Sequence, residues 1–462
     1  MSDTYFREIT KHFIDIDPDR LPSKARTCLK WSLANYVAQR SLAAHMDTCS
    51  GIADMYRNMR TDRCLQGVWG KHISPEDWYV PADRAFLNAC RVSNLELDDS
   101  TRGSVHPGSY IWSAVLAECM KDDIPVDAVA RAVLLGYEVT TRAAMMGEKK
   151  AISMGLHAPG VFGALGAAAA VALIKGRGLS AEECIENILD AIGIAASLMP
   201  VCPFTSFIEG SDAKDLYGGW GTYLGVIAGE GAVLGLKGPR NILSGIKSLE
   251  WLFSADTGKD VPIGKPYMIE LLNVKQYPAC FSVIPASNAA LQLRDINGIS
   301  IEDVESIEIY SYPYSVDIDP KTRELNPTSA RLSIAYNVIT ALDKGEVNVE
   351  AFDTPDKMPE KYIGLMEKTL VSADESYGRG TDALRAARVA VKCTDGRLLE
   401  KEFSAGNVAG GTGDGLNDSS FKTRFLDLTL QSLGKERSKE VYDLMIGPDI
   451  LPELSRIIPF IL

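Results

Sequence analysis

Two of the chain's five histidines stand in near-copies of one motif, His106-Pro107-Gly108 and His157-Ala158-Pro159-Gly160. Each runs straight into a helix-like stretch of small and apolar residues, Ser109 to Met120 and Val161 to Lys175. Proline is favoured in the first turn of a helix, where its missing N–H would be unpaired anyway. The spacing therefore predicts both imidazoles beside helix N-termini, where free N–H groups and the dipole attract anions. The same pose lowers an imidazole's pKa, and a neutral ring can accept a proton. Either motif alone reads as a surface turn that holds a histidine. Their repetition, with an Asp-Asp pair close by, points to an enzyme that handles a carboxylate.

The acids lie in Leu95 to Gly108, LELDDSTRGSVHPG, where Glu96, Asp98 and Asp99 precede His106. A carboxylate near an imidazole can orient it and tune its basicity. Taken singly, Asp98 or Asp99 also reads as a helix-end acid bonding the local backbone. Aspartate-rich helices hold Mg²⁺ in all-α isoprenoid synthases through DDxxD. Here the run is DDSTR without a second such motif, so no metal is expected. A further element is Glu209 to Tyr217, EGSDAKDLY, after which no charge follows Asp215 until beyond Ala228. Lys214 facing such a core would be costly unless paired or used, whereas snorkelling to solvent is the common fate of lysine. Two more segments complete the set: Lys275 to Phe281 (KQYPACF), and Ser329 to Tyr336 (SARLSIAY). From the latter, Arg331 and Tyr336 could close over a substrate, although Tyr336 reads equally as core.

The elements that must position these groups are mostly helical up to residue 265. Asp3 to Ile16, Ser23 to Leu42, Asp83 to Leu97, Val126 to Met146 and Ala213 to Leu236 carry apolar residues three and four apart. Ser180-Ala181-Glu182-Glu183 reads as a capping box opening a helix through Leu198. From 266 to 404 the character changes to a small α/β module. Val304 to Tyr314 alternates as a strand, Pro327 to Ala341 reads as a helix, and Thr394-Asp395-Gly396-Arg397 turns a hairpin between Arg388–Cys393 and Leu398–Phe403. A loop, Gly406 to Asp418, contains GGTGDG without the Lys-Ser/Thr ending of a phosphate loop. The tail, 405–462, is expected to return to the helical body. The fold class is thus mainly α: a large all-helical domain formed by both chain ends, plus a smaller α/β lid domain.

Composition narrows the function. The 462 residues exceed one ordinary domain, with 46% hydrophobic and 24% charged residues. A net charge of −13 argues against nucleic acid or anionic membrane as a partner. It also means that an anionic substrate must meet a local cationic pocket. Nine scattered cysteines without CxxC spacing read as reduced thiols. The start of the chain lacks a signal peptide's apolar core and is rich in acids. The apolar run Val161 to Ile174 reads as a buried helix too short to span a bilayer. A cytoplasmic protein is expected.

Together, LDDSTRGSVHPG, GLHAPGVFGALGAAAA, GSDAKDLYGGW, KQYPACFS and SARLSIAYNV resemble the MmgE/PrpD family of 2-methylcitrate dehydratase, cis-aconitate decarboxylase and iminodisuccinate epimerase. The resemblance implies a homodimer with a cofactor-free, metal-free site between helical body and lid, acting on a small polycarboxylate. It implies His106, His157 and Lys214 as catalytic residues, and Tyr336 as a lid tyrosine near the substrate. Glu96 falls where the decarboxylases have Asp, and Ser100 where they have Thr. With Asp99, Tyr217 and Arg331 these complete the expected substrate-binding set. Tyr217 stands where His is frequent, and the lid histidine expected after Tyr-Pro-Ala is absent, with Cys280 and Ile284 in that stretch. The chemistry expected is proton abstraction beside a carboxylate, with cationic donors facing the developing charge. His157 or Lys214 would be the base, and His106 would bind or protonate the polyanion. Dehydration of a 2-alkylcitrate-like acid ranks first, epimerisation of an iminodisuccinate-like dicarboxylate second and decarboxylation third. A non-catalytic relative is the alternative from another class.

Overall fold

The structure is a computed structural model. It describes residues 2–44, 46, 81–120, 123–242, 247–253, 261–320, 324–352, 358–378, 385–404 and 418–460. The GGTGDG loop lies outside the described residues. The chain is mainly α. Among the described residues the long helices before residue 234 are α1 (Ser2–Ile14), α2 (Ser23–Ala43), α3 (Pro81–Asn94), α4 (Pro107–Cys119), α5 (Val126–Ser153), α6 (Ala158–Lys175), α7 (Ala181–Leu198) and α8 (Asp215–Val233). The capping box opening α7 is present, Ser180 and Glu183 each accepting the other's backbone N–H.

Helix α6 is the hub, packed against α4, α5, α7 and α8. It is long and apolar enough to cross a membrane by length and composition, yet it is almost wholly buried in protein. Packing on four sides demands small residues. A Cβ on Gly166 would lie 2.0 Å from Thr140 Oγ1 and 2.4 Å from the carbonyl oxygen of Gly136, so the α5 and α6 backbones touch there. Helices α12 (Asp418–Leu433) and α13 (Lys435–Met445) return to the same apolar core, α12 lying on α2.

A second apolar core gathers residues from Ala279 to Cys393. Its sheet has the order β4-β3-β5-β6, with β3 (Val304–Ser311) parallel to β4 (Thr369–Ala373) and antiparallel to β5 (Ala386–Cys393). The hairpin from β5 to β6 (Leu398–Ser404) turns at Gly396, whose φ of +88° suits glycine. Ile307 and Ile309 of β3 face Val391 and Val389 of β5, and α9 (Ile284–Asn297) and α10 (Ile334–Lys344) cover the sheet.

Two expected elements differ. The strand read over Val304–Tyr314 stops at Ser311, because Pro313 has no N–H to donate and opens a short helical turn. The helix read over Pro327–Ala341 is two pieces, Pro327–Ala330 and α10. Ser333 Oγ accepts the N–H of Tyr336, and Asp319 accepts that of Ile334, so a fresh N-terminus forms inside the apparent run.

Gly166→Ala measures how tightly the hub is packed. Alanine favours a helix by about 0.5–1 kcal/mol, but the clash at Thr140 should cost about 1–3 kcal/mol or more. Net destabilisation in urea unfolding is expected; a gain in stability would show that α5 and α6 separate freely.

Candidate active site

The site is assembled where a short ladder joins distant segments. β1 (Asp99–Ser100) pairs antiparallel with β2 (Asn273–Val274), an element too short to show in sequence periodicity. This places the acidic loop after α3 beside Lys275. Helix α5 holds the approach to β2: its Glu138 accepts the N–H of Met268 at 2.9 Å. Its Arg142 donates to the carbonyls of Val261 at 2.7 Å and Pro262 at 3.1 Å. The returning α12 supplies Arg424, which donates to the carbonyls of Lys275 (2.7 Å) and Leu97 (3.3 Å) and to Asn35 Oδ1 (2.8 Å).

Glu96 lies at the centre. Its backbone adopts φ +52°, a left-handed conformation that a non-glycine residue holds only when its surroundings fix it. One carboxylate oxygen accepts from Lys214 Nζ and the other from Lys275 Nζ at 2.6 Å. All three side chains are buried, Lys275 completely. Lys214 also donates to the Ser93 carbonyl at 3.0 Å and stands 4.8 Å above the Phe207 ring, while Asp215 is 3.9 Å away. Lys214 is thus held inside and does not snorkel. Burial alone would raise the Glu96 pKa, but the two ammoniums hold it well below the usual carboxylate range. Burial would lower that of Lys214, yet Glu96 and Asp215 raise it, so Lys214 stays cationic.

The two histidines occupy the N-cap positions of α4 and α6, each with proline in the first turn and neither capping through its ring. His106 Nδ1 is 2.7 Å from the carbonyl oxygen of Asp99, which assigns the proton to Nδ1 and leaves the Nε2 lone pair free. The glycines of the two motifs have a packing reason. A Cβ at Gly108 would lie 2.6 Å from the Asp99 carboxylate, and one at Gly160 would lie 2.6 Å from Cys202 Sγ. Asp99 accepts the Gly108 N–H at 2.9 Å and the Tyr137 hydroxyl, while the Cys202 carbonyl accepts the His157 N–H at 2.8 Å. The His157 ring packs among Phe204, Phe207 and Tyr217, and its buried Nδ1 has no partner among the described residues. Burial, then the charge of Lys275, pushes His106 down to about 3. Burial, then Lys214, does the same to His157. Both rings are therefore neutral at pH 7. Because their pKa lies below the unfolded 6.5, only the unfolded chain takes up these protons as pH falls from 6.5 towards 3, and stability falls with it. Burial raises Asp98 to about 6 and Asp99 to about 7.

Glu96, Ser100, His106, His157 and Lys275 line one cavity of about 70 Å³, with Cys280, Ser282, Tyr312, Tyr314 and Arg385, from the chain after β2, completing the wall. A larger cavity, about 630 Å³, lies by Gln276–Pro278, but its described lining holds neither histidine nor lysine. The chemistry favours the smaller one. Asp99 acts on it through the carbonyl that orients His106. Tyr217 stands behind His157, its hydroxyl bonded to the Pro203 carbonyl and Ser206 Oγ at 2.9 and 2.8 Å.

Arg331 and Tyr336, expected against the substrate, are placed elsewhere. Arg331 is buried over the Phe352 ring and donates to the Pro327 carbonyl at 3.0 Å. Tyr336 donates to the Ala351 carbonyl and packs on Phe352 and Tyr362. The physical reason is the break before α10, which turns that face into the second core. Sequence reading gave Lys275 no role and missed Arg424 and Arg385. Lys275 carried a signal, as the one cation in the quoted KQYPACF; the two arginines carried none.

Residues 7–260 match the MmgE/PrpD N-terminal domain, and residues 277–445 match the MmgE/PrpD C-terminal domain. The chain belongs to the MmgE/PrpD family. Among its relatives are the cis-aconitate decarboxylases of Homo sapiens, 25% identical over 57% of this chain and 56% of that protein, and of Mus musculus, 29% identical over 41% of this chain and 37% of that protein. The matched stretch thus spans about half or less of these relatives' length. The family's C-terminal match runs through the second core into α12 and α13, the helices that bring Arg424 back to the site.

Glu96→Gln removes the charge that two buried ammoniums share. A loss of about 3–5 kcal/mol is expected, the scale for breaking a buried pair from one side. A change below about 1 kcal/mol in urea unfolding would show that the lysines find other partners.

Proposed function

We propose that the protein is a metal-independent lyase on a small di- or tricarboxylate, and that it dehydrates a 2-alkylcitrate-like hydroxy acid. The observation carrying this reading is the pairing of two buried, neutral imidazoles on the wall of one small cavity with Glu96 and Lys275, Lys214 being bound to Glu96 outside the lining. Such a wall suits an acid whose Cα–H must be removed beside a carboxylate.

His106 is the better base, a change from the role first expected of it. Its Nδ1–H is anchored on the Asp99 carbonyl, so Nε2 can take the Cα proton. The enediolate that forms faces Lys275, and Glu96 stabilises the new imidazolium. The C–H electron pair then forms the double bond as the C–O bond breaks. The imidazolium returns its proton to the departing hydroxyl, held by His157, and water leaves. Lys214, already bound to Glu96, keeps its proton and serves as a fixed charge.

Decarboxylation is the second reading, favoured by the names of the two relatives. Against it, the stretch after Tyr-Pro-Ala, where the resemblance expects a histidine proton donor, holds Cys280 and Ile284 instead, and burial raises the Cys280 thiol pKa.

Proton NMR in D₂O with citrate, 2-methylcitrate, cis-aconitate and iminodisuccinate separates the readings. Conversion of a hydroxy acid to an alkene is expected, unaffected by EDTA: the methyl doublet of 2-methylcitrate becomes an allylic methyl singlet, and citrate, if turned over, gives a vinyl signal. Loss of a carboxyl from cis-aconitate, or deuterium at Cα without an alkene, would replace dehydration by decarboxylation or epimerisation. His106→Ala and His157→Ala should each cut turnover at least about a hundredfold with the fold intact. Loss below about threefold at both would sink the assignment.

A further inference from the structure

The cations of the site are not equivalent, and of its two lysines only Lys275 lines the cavity. Lys275 and Lys214 are both committed to Glu96. Arg385, half-buried at the start of β5, also lines the cavity, and among the described residues it has no hydrogen-bond or ion-pair partner. A guanidinium at a cavity wall without a carboxylate is poised for a planar anion, which it can bind through two parallel N–H groups. Beside it stand Tyr312 and Tyr314, at the turn that follows β3, with Tyr312, Tyr314 and Ala386 sharing one apolar cluster. Neither tyrosine hydroxyl is bonded to another described residue. Burial raises both phenol pKa values, Tyr312 to about 12, so both keep a proton to donate. Glu148, a carboxylate near Tyr314, accepts from Ser104.

We infer that Arg385, with the hydroxyls of Tyr312 and Tyr314, is the cradle for a second carboxylate of the substrate, the one remote from the carbon that loses its proton. The inference rests on the proposed polycarboxylate reading. It assigns the two ends of the substrate to different parts of the protein: the reacting end to the histidines and Lys275, the distal end to the turn after β3 and the residue before β5. Arg385 is then a specificity-determining residue that selects di- and tricarboxylates over monocarboxylates.

The test uses tricarballylate, which has three carboxylates and no hydroxyl to eliminate, and butyrate, which has one carboxylate. Binding of each to the full chain is measured by titration calorimetry. Arg385→Gln should weaken tricarballylate roughly tenfold or more, the scale of a lost charge-assisted pair, and leave butyrate unchanged. Arg385→Lys should lie between wild type and Gln, because a point charge replaces a fork. Tyr314→Phe keeps the ring and should weaken tricarballylate a few-fold, so the cradle can be judged even if one variant folds poorly. Equal tricarballylate affinity in wild type and Arg385→Gln, with binding lost in His106→Ala, would overturn the cradle and leave the polycarboxylate reading standing. Failure of wild type to bind tricarballylate better than butyrate would overturn both.

Discussion

One carboxylate shared by two buried ammoniums governs the architecture of the site. Three charges can leave water together only if each is closely paired, since an isolated buried ion costs several kcal/mol. Glu96 meets that condition by offering one oxygen to Lys214 and the other to Lys275. Three stretches of chain far apart in sequence must therefore converge: the end of α3, the start of α8 and the residue after β2. The left-handed backbone at Glu96, the two-residue ladder of β1 and β2, and the Arg424 bonds to the Lys275 and Leu97 carbonyls all serve that convergence. The return of the chain end to the helical core follows, because α12 carries Arg424.

The same cluster sets the state of the histidines. Burial is the larger influence on each ring, and the neighbouring ammoniums act in the same direction. Both imidazoles are neutral, while Lys214 remains charged because Glu96 and Asp215 raise its pKa against burial. In the proposed reaction the division of labour is electrostatic: rings that move protons, and ammoniums that face negative charge as it develops. It also reconciles a net charge of −13 with an anionic substrate, since the cations are concentrated at one buried place.

Much of this was legible in the sequence, and the boundary of legibility is physical. The two His-Pro-Gly-like motifs announced helix N-termini because proline and glycine carry local conformational rules, and both histidines cap their helices as expected. The glycines proved to need small size, against Asp99 and Cys202, which no local rule foretells. Lys214 was ambiguous alone; its burial depends on Glu96, a partner distant in sequence. Arg331 and Tyr336 misled because the helical run Pro327–Ala341 concealed a second N-cap at Ser333. Lys275, Arg385 and Arg424 gain their roles only from tertiary placement, and a two-residue ladder has no periodicity to detect.

The central claim is that the resting protein holds His106 and His157 neutral against a cationic cluster. Nitrogen NMR of the histidine-labelled protein between pH 8 and pH 5, with His106→Gln and His157→Gln for assignment, reads this directly. The account predicts that both rings show the shifts of neutral imidazole throughout, with His106 protonated on Nδ1 alone. Titration of either ring near 6.5, the ordinary value for histidine, would contradict it.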